Sequence, residues 1–168
     1  VMWWPERVPA GSKCNEPAMT IDILPTVAHL IGATLPDLRI DGKNISPLIQ
    51  GEPDAKSPHE AYYFYYGREL QAVRVGKWKL HFPHGYKTLG GQPGGTGGVP
   101  VKYNQTKIGL SLFNLEEDIG ETTNVAGQHP EVVKRIQELA KEMRKELGDS
   151  ILNQKGSGIR EPGRLAGK

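Results

Sequence analysis

Ala61-Tyr-Tyr-Phe-Tyr-Tyr-Gly-Arg-Glu-Leu-Gln-Ala-Val-Arg-Val-Gly-Lys-Trp-Lys-Leu-His-Phe82 is the stretch in which the chain takes on the period of a β-sheet. Its first six residues are aromatic and strand-prone, Leu70 to Val75 is mostly apolar, and Lys77 to Phe82 alternates polar with apolar side chains as a half-buried strand does. Gly76 is a tight-turn residue between the last two runs, which makes them a hairpin. A further strand at Leu110 to Leu115 extends this to an antiparallel sheet of about four strands. The partner for one face of that sheet lies near the C-terminus. Pro130 opens a helix in which Val132, Val133, Ile136, Leu139, Ala140, Met143 and Leu147 form one apolar stripe, and Gly148 ends it. A stripe of that width needs a surface to cover, and the sheet supplies one. The fold class is therefore α+β, a small antiparallel sheet packed on a long C-terminal helix.

Upstream of the sheet, residues 1 to 50 are expected to mix a short strand with a helix. Thr20 or Asp22 caps that helix, Ile21, Leu24, Ala28 and Ile31 recur at helical spacing, and Gly32 stops it. Pro25 falls in the first turn, where backbone N–H groups have no intrahelical acceptor and its missing donor costs nothing. Leu35-Pro36 to Ser57-Pro58 is rich in turn signals. The expected organisation is residues 1–58 as the end of a large α/β domain, 59–150 as a sheet-plus-helix subdomain, and 151–168 as an extended tail of Gly, Lys, Arg and Pro. The chain opens on Val-Met-Trp-Trp-Pro, which reads as an element entered partway through.

The formal net charge is +2, and no block of Lys and Arg lies on an aromatic-lined face. Composition thus offers no electrostatic case for nucleic acid. No apolar run approaches the ~18 residues of a membrane-spanning helix, and no signal peptide is visible. Cys14 is the single cysteine, which excludes a disulfide framework or a cysteine-rich metal site within this sequence.

Five stretches in collinear order resemble the C-terminal part of the arylsulfatase-type sulfatases, in the alkaline-phosphatase-like superfamily. They are Trp4-Pro5 to Glu16, the D-x-x-P-T helix from Asp22 to Thr26, Asp41-Gly42 to Leu48, the hairpin Ala72-Val-Arg-Val-Gly-Lys-Trp-Lys79, and the turn Leu112-Phe-Asn-Leu-Glu-Glu-Asp-Ile-Gly-Glu-Thr-Thr-Asn124. The resemblance implies hydrolysis of sulfate esters, of an aryl compound or a sulfated carbohydrate, and a periplasmic, secreted or lysosomal-type location. It also implies a formylglycine nucleophile and a Ca²⁺ site, both expected in an N-terminal portion of the same enzyme upstream of Trp4. None of those residues is carried over: catalytic and metal-ligating residues here are expected to be none, and the chain alone is expected to be inert. The formylglycine motif Cys/Ser-x-Pro-x-Arg does not fit Cys14, because Pro17 stands one place too late and no Arg follows.

One polar constellation remains. His81-Phe-Pro-His-Gly-Tyr-Lys-Thr88 ends a strand and opens into a loop with six glycines between residues 90 and 98. By the resemblance, this loop reaches back over the cleft of the large domain. His84 is then the candidate for contacting the sulfate ester or a neighbouring sugar hydroxyl, followed by His81, Tyr86 and Lys87. The bland reading puts His81 under the sheet and His84 in an exposed turn. Glu116, Glu117 and Asp118 lack the Asp-x-Asp-x-Asp-Gly spacing of a Ca²⁺ loop and read as a solvated turn. The glycines lack the P-loop Gly-Lys-Ser/Thr, and no helix follows them. Two rivals stand beside the sulfatase reading. One is a phosphonate monoester hydrolase or phosphodiesterase of the same superfamily. The other is a non-catalytic carbohydrate- or protein-binding module.

Overall fold

The computed structural model describes residues 1–161, which form two compact units, the first Val1–Glu60 and the second beginning at Ala61. In the first unit a 3₁₀ turn, Thr20–Asp22, runs into α1 (Ile23–Ile31), closed by Gly32, and α2 (Ser46–Gln50) follows. No strand forms among residues 1–60, contrary to expectation. A strand exists through its ladder, and Val1 to Trp4 has no backbone neighbour of that kind among the described residues.

The face that α1 buries also differs from expectation. Ile23, Leu24, Val27 and Ile31 are exposed, Ile31 at 71%, whereas Asp22, Pro25, Thr26 and Ala28 are buried. The loop at residues 41–45 is the cause. It presses its backbone against the start of the helix, and its N–H groups need acceptors: Lys43 N–H donates to Asp22 Oδ1 at 2.9 Å and Ile45 N–H to Thr26 Oγ1 at 2.9 Å. Gly42 permits the approach, since a Cβ there would overlap the Ile21 carbonyl. Asp22 also accepts the Met19 N–H at 2.9 Å and lies 2.6 Å from His59 Nε2. Burial alone would raise the Asp22 pKa, but the N–H groups of Lys43 and Met19 and the His59 ring outweigh it and hold it below the usual carboxylate value.

In the second unit β1 (Tyr62–Tyr66), β2 (Glu69–Val75), β3 (Trp78–His81) and β6 (Ser111–Asn114) form an antiparallel sheet in the order β1-β2-β3-β6. Between β3 and β6 the chain makes a separate two-stranded ribbon of β4 (His84–Thr88) and β5 (Asn104–Ile108), with the glycine-rich loop joining the two. In the main sheet, register places Val73, Leu80 and Leu112 in one cross-strand row, each fully buried. The helix α3 (Pro130–Leu147) covers that row with Val133, Ile136 and Ala140. Each such Leu or Ile contributes about 1.5–3 kcal/mol on burial, so this row and its helix anchor the unit. The adjacent row, Ala72, His81 and Ser111, points to the opposite face.

The segment after Ile151 does not run out as an extended tail. The two-residue strands β7 (Gly148–Asp149) and β8 (Gln154–Lys155) pair, and Ser157 N–H and Gly158 N–H return to the carbonyls of Lys145 and Glu146. Asp149 fixes the turn through Arg144 Nε at 2.8 Å and the Ile151 N–H at 3.1 Å, and Tyr65 donates its hydroxyl proton to the Gly148 carbonyl at 2.9 Å. Burial, with the Asp149 charge, pushes the Tyr65 hydroxyl up to about 12, so it remains a donor. The rest of the tail, residues 162–168, lies outside the described residues.

Candidate functional site

The sheet face opposite α3 carries the polar cluster. Strand alternation sends Lys79 and His81 to this face, beside Phe64 on β1 and Phe113 on β6. Above them sits Glu121, delivered by the turn that follows β6. Its Oε1 lies 2.6 Å from Lys79 Nζ and its Oε2 2.6 Å from His81 Nε2. Lys79 Nζ is also 5.0 Å from the centre of the Phe64 ring, within cation–π range.

The turn motif explains how Glu121 gets there. Asp118 accepts the N–H groups of Thr122 and Thr123, at 2.7 and 2.8 Å, together with the Thr122 hydroxyl at 3.0 Å. The Thr123 N–H chiefly holds the Asp118 carboxyl below its usual value. Asn124 Oδ1 accepts the N–H groups of Leu112 and Ala126, both at 3.0 Å, which ties the end of the turn to β6. Between these anchors Glu121 takes φ +54°, in the left-handed region, at a backbone cost of about 1–2 kcal/mol. The anchored turn thus imposes the conformation that aims the carboxylate at the sheet.

His81 is nearly buried, with 14% of its side chain exposed, and its ring meets Phe113 edge-on. Burial, reinforced by the Lys79 charge, lowers its pKa despite the opposing pull of Glu121. A carboxylate can only accept, so Nε2 carries the proton; Nδ1 is buried without a hydrogen-bond partner among the described residues. His84 stacks on His81 with ring centres 5.4 Å apart and planes 20° from parallel. Its Nδ1 donates to the Phe82 carbonyl at 2.7 Å, which leaves Nε2 as the edge with no partner among the described residues. Tyr86 follows two residues along the same ribbon face, 6.2 Å from His84 by ring centres and 43% exposed.

The structure therefore brings together three of the four residues singled out from sequence. His84 and Tyr86 present open edges, and His81 lies beneath as support. Lys87 is on the other face of the ribbon, opposite Gln105, and does not join them. Sequence reasoning missed Lys79 and Glu121. Both lie inside the stretches that carry the resemblance, but nothing in the spacing of Glu121 marks it off from the acidic run at 116–118. Glu116, Glu117 and Asp118 are turn residues, as read. Among the described residues, no group of three or more His, Cys, Asp or Glu could hold a metal ion, so the side chains present do not fit the implied Ca²⁺. Cys14 is exposed.

Comparison with known proteins gives a consistent result. A family model for the C-terminal region of aryl-sulfatase matches residues 57–161, and one for the C-terminal part of N-sulphoglucosamine sulphohydrolase matches residues 1–84. Arylsulfatase A of Homo sapiens is 35% identical over 150 residues, which is 82% of this chain and 28% of the relative. The chain thus spans less than a third of that relative's length. Among solved structures, the PsFucS1 sulfatase from Pseudoalteromonas sp. shares the fold with a TM-score of 0.66 at 20% identity, over 84% of this chain and 28% of that one. BT4656, solved in complex with its substrate D-glucosamine-2-N,6-O-disulfate, superposes with a TM-score of 0.52 at 18% identity, over 84% of this chain and 27% of its own.

Proposed function

The chain belongs to the aryl-sulfatase family, whose C-terminal region it carries, and from that premise we propose that the enzyme it serves is a sulfuric ester hydrolase acting on a sulfated carbohydrate. The observation that carries this reading is the family match over residues 57–161, a span that includes the whole His81–His84–Glu121 cluster. The sugar, rather than a simple aryl sulfate, is supported by the disulfated glucosamine bound by the structural neighbour and by the pairing of an imidazole edge with an exposed tyrosine ring on one ribbon face. Neither the phosphoester hydrolase nor the non-catalytic module is favoured by the matches.

In this proposal the ribbon forms one wall of the substrate cleft. His84, whose Nδ1–H is given to the Phe82 carbonyl, offers Nε2 as an acceptor to a sugar hydroxyl in the neutral ring, and as a donor to a sulfate oxygen in the imidazolium. The imidazolium–sulfate contact is a charge-assisted hydrogen bond, about twice as strong as a neutral one. Tyr86 packs its ring along the sugar. The formylglycine, the Ca²⁺ and the groups that cleave the ester belong to the N-terminal portion of the enzyme, and the exposed apolar face of α1 is where that portion is proposed to pack. Among the described residues no helix is long and apolar enough to cross a membrane.

The test is turnover by the enzyme carrying both portions. Loss of a hydrogen bond to a charged group costs about 1.5–3 kcal/mol, so His84→Ala should lower kcat/KM on a sulfated oligosaccharide by roughly 10- to 150-fold. Lys87→Ala, on the opposite ribbon face, should change it less than about twofold. Unchanged turnover in His84→Ala refutes the role of the ribbon, and absence of sulfate release from any sulfated sugar refutes the activity.

A further inference from the structure

Resting on the reading that His84 meets the substrate, we propose that Glu121 is a positioning residue: it locks His81 as the neutral Nε2–H tautomer, and so gives His84 a fixed, uncharged platform to stack on. The argument begins with the hydrogen-bond inventory. At 2.6 Å the Glu121 carboxylate fixes a proton on His81 Nε2. A second proton would have to sit on Nδ1, which is buried with nothing among the described residues to receive it. That donor would be orphaned, and the added charge would lie near Lys79 and face to face with His84. The neutral ring is the state compatible with all four groups.

The same contact fixes the ring plane. Glu121 holds one edge of His81, Phe113 meets it edge-on, and His84 lies 20° from parallel on its face. With its Nδ1 pinned to Phe82 and one face pinned to His81, His84 has little freedom left in χ1 and χ2. Lys79 holds the other carboxylate oxygen, which prevents the group from rotating away. The turn anchored by Asp118 and Asn124 holds Glu121 at φ +54°, so the carboxylate is presented from a fixed backbone. The same backbone closes the Asp118 turn and aims the carboxylate at the sheet.

The first experiment uses this chain, labelled with ¹⁵N at histidine, and long-range ¹H–¹⁵N correlation at neutral pH. His81 should show Nδ1 as a bare, pyridine-like nitrogen and Nε2 as a pyrrole-like N–H. In the isosteric Glu121→Gln chain the amide oxygen can accept from Nε2–H or its NH₂ can donate to a bare Nε2; the second pairing puts the proton on the unpartnered Nδ1, so the two nitrogen shifts should move part of the way toward each other as that tautomer gains population. An averaged or Nδ1–H pattern in the parent chain, or an unchanged pattern in Glu121→Gln, overturns the proposal. The second experiment is a double-mutant cycle on the enzyme carrying both portions. If Glu121 acts through His84, Glu121→Gln should lower kcat/KM about tenfold or more alone, and less than about twofold when His84 is already Ala. Equal losses in both backgrounds overturn the positioning role. If His84→Ala by itself does nothing, the substrate-contact reading fails instead, while the tautomer result stands on its own measurement.

Discussion

Replacing Asp22 by Ala should be among the most damaging single changes in the first unit, although the residue touches no candidate substrate group. Its carboxylate is fully buried and serves three donors: the N–H groups of Met19 and Lys43, and the ring of His59, itself only 8% exposed. A buried donor left without an acceptor costs about 1–3 kcal/mol, and the change removes the shared acceptor of three donors at once. We therefore expect a loss of roughly 3–5 kcal/mol, enough to unfold a unit of this size. Asp22→Asn keeps the volume but replaces one acceptor oxygen with an NH₂ facing an N–H, and should cost roughly 1–3 kcal/mol. Amide hydrogen exchange provides the assay, because the Met19 and Lys43 protons should lose protection first, while Leu80 and Leu112 in the second unit keep theirs. The pH dependence carries the same information. The folded carboxyl is held below the unfolded value of 3.8, so its stabilisation is present above that value and disappears as pH falls through the folded pKa. Asp22→Asn should flatten that acid limb. If Asp22→Ala exchanges Met19 and Lys43 as slowly as the parent, the reasoning about this carboxylate is wrong.

Gly42→Ala should destabilise the same unit by about 3 kcal/mol or more, because its methyl would overlap the Ile21 carbonyl and push the 41–45 loop off α1; exchange at Lys43 and Ile45 would report it. Asp149→Ala leaves Arg144 partly buried with no carboxylate, and should cost about 3–5 kcal/mol in a denaturant titration of the second unit, with Ser157 and Gly158 losing their exchange protection. The His81 pKa is lowered from 6.5 in the folded state, so the unfolded chain takes up a proton first as pH falls. Stability from this residue should be full above about pH 6.5 and decline as pH falls from there through the folded pKa, and His81→Phe should remove that part of the slope.

The main sheet was legible because its signals are local. Alternation in Lys77 to Phe82, the turn at Gly76 and the stripe of α3 each specify one element whatever surrounds it. Asp22 and Asp118 could be seen as polar residues near turns, but not as the acceptors that organise them. Their donors come from Lys43 and His59 in one case and from a left-handed turn in the other. The α1 stripe failed for the opposite reason. Periodicity tells which side chains share a face, but which face is buried depends on the neighbour, and here the neighbour brings unsatisfied backbone N–H groups rather than apolar side chains. The tail differs for a similar reason: Gly and Lys in residues 151–158 look unstructured until the last carbonyls of α3 supply partners.

By itself the sequence determined the family, the sheet-plus-helix architecture and the neighbourhood of His81, His84 and Tyr86, because periodicity, turn residues and motif spacing are written along the chain. Only the tertiary structure decided that Glu121 clamps His81, that Lys87 faces away from the group, and that the Nε2 of His84 is the open edge. Those facts depend on strand register and on a turn about 40 residues downstream, and distances across a sheet face are fixed by pairing rather than by position in sequence.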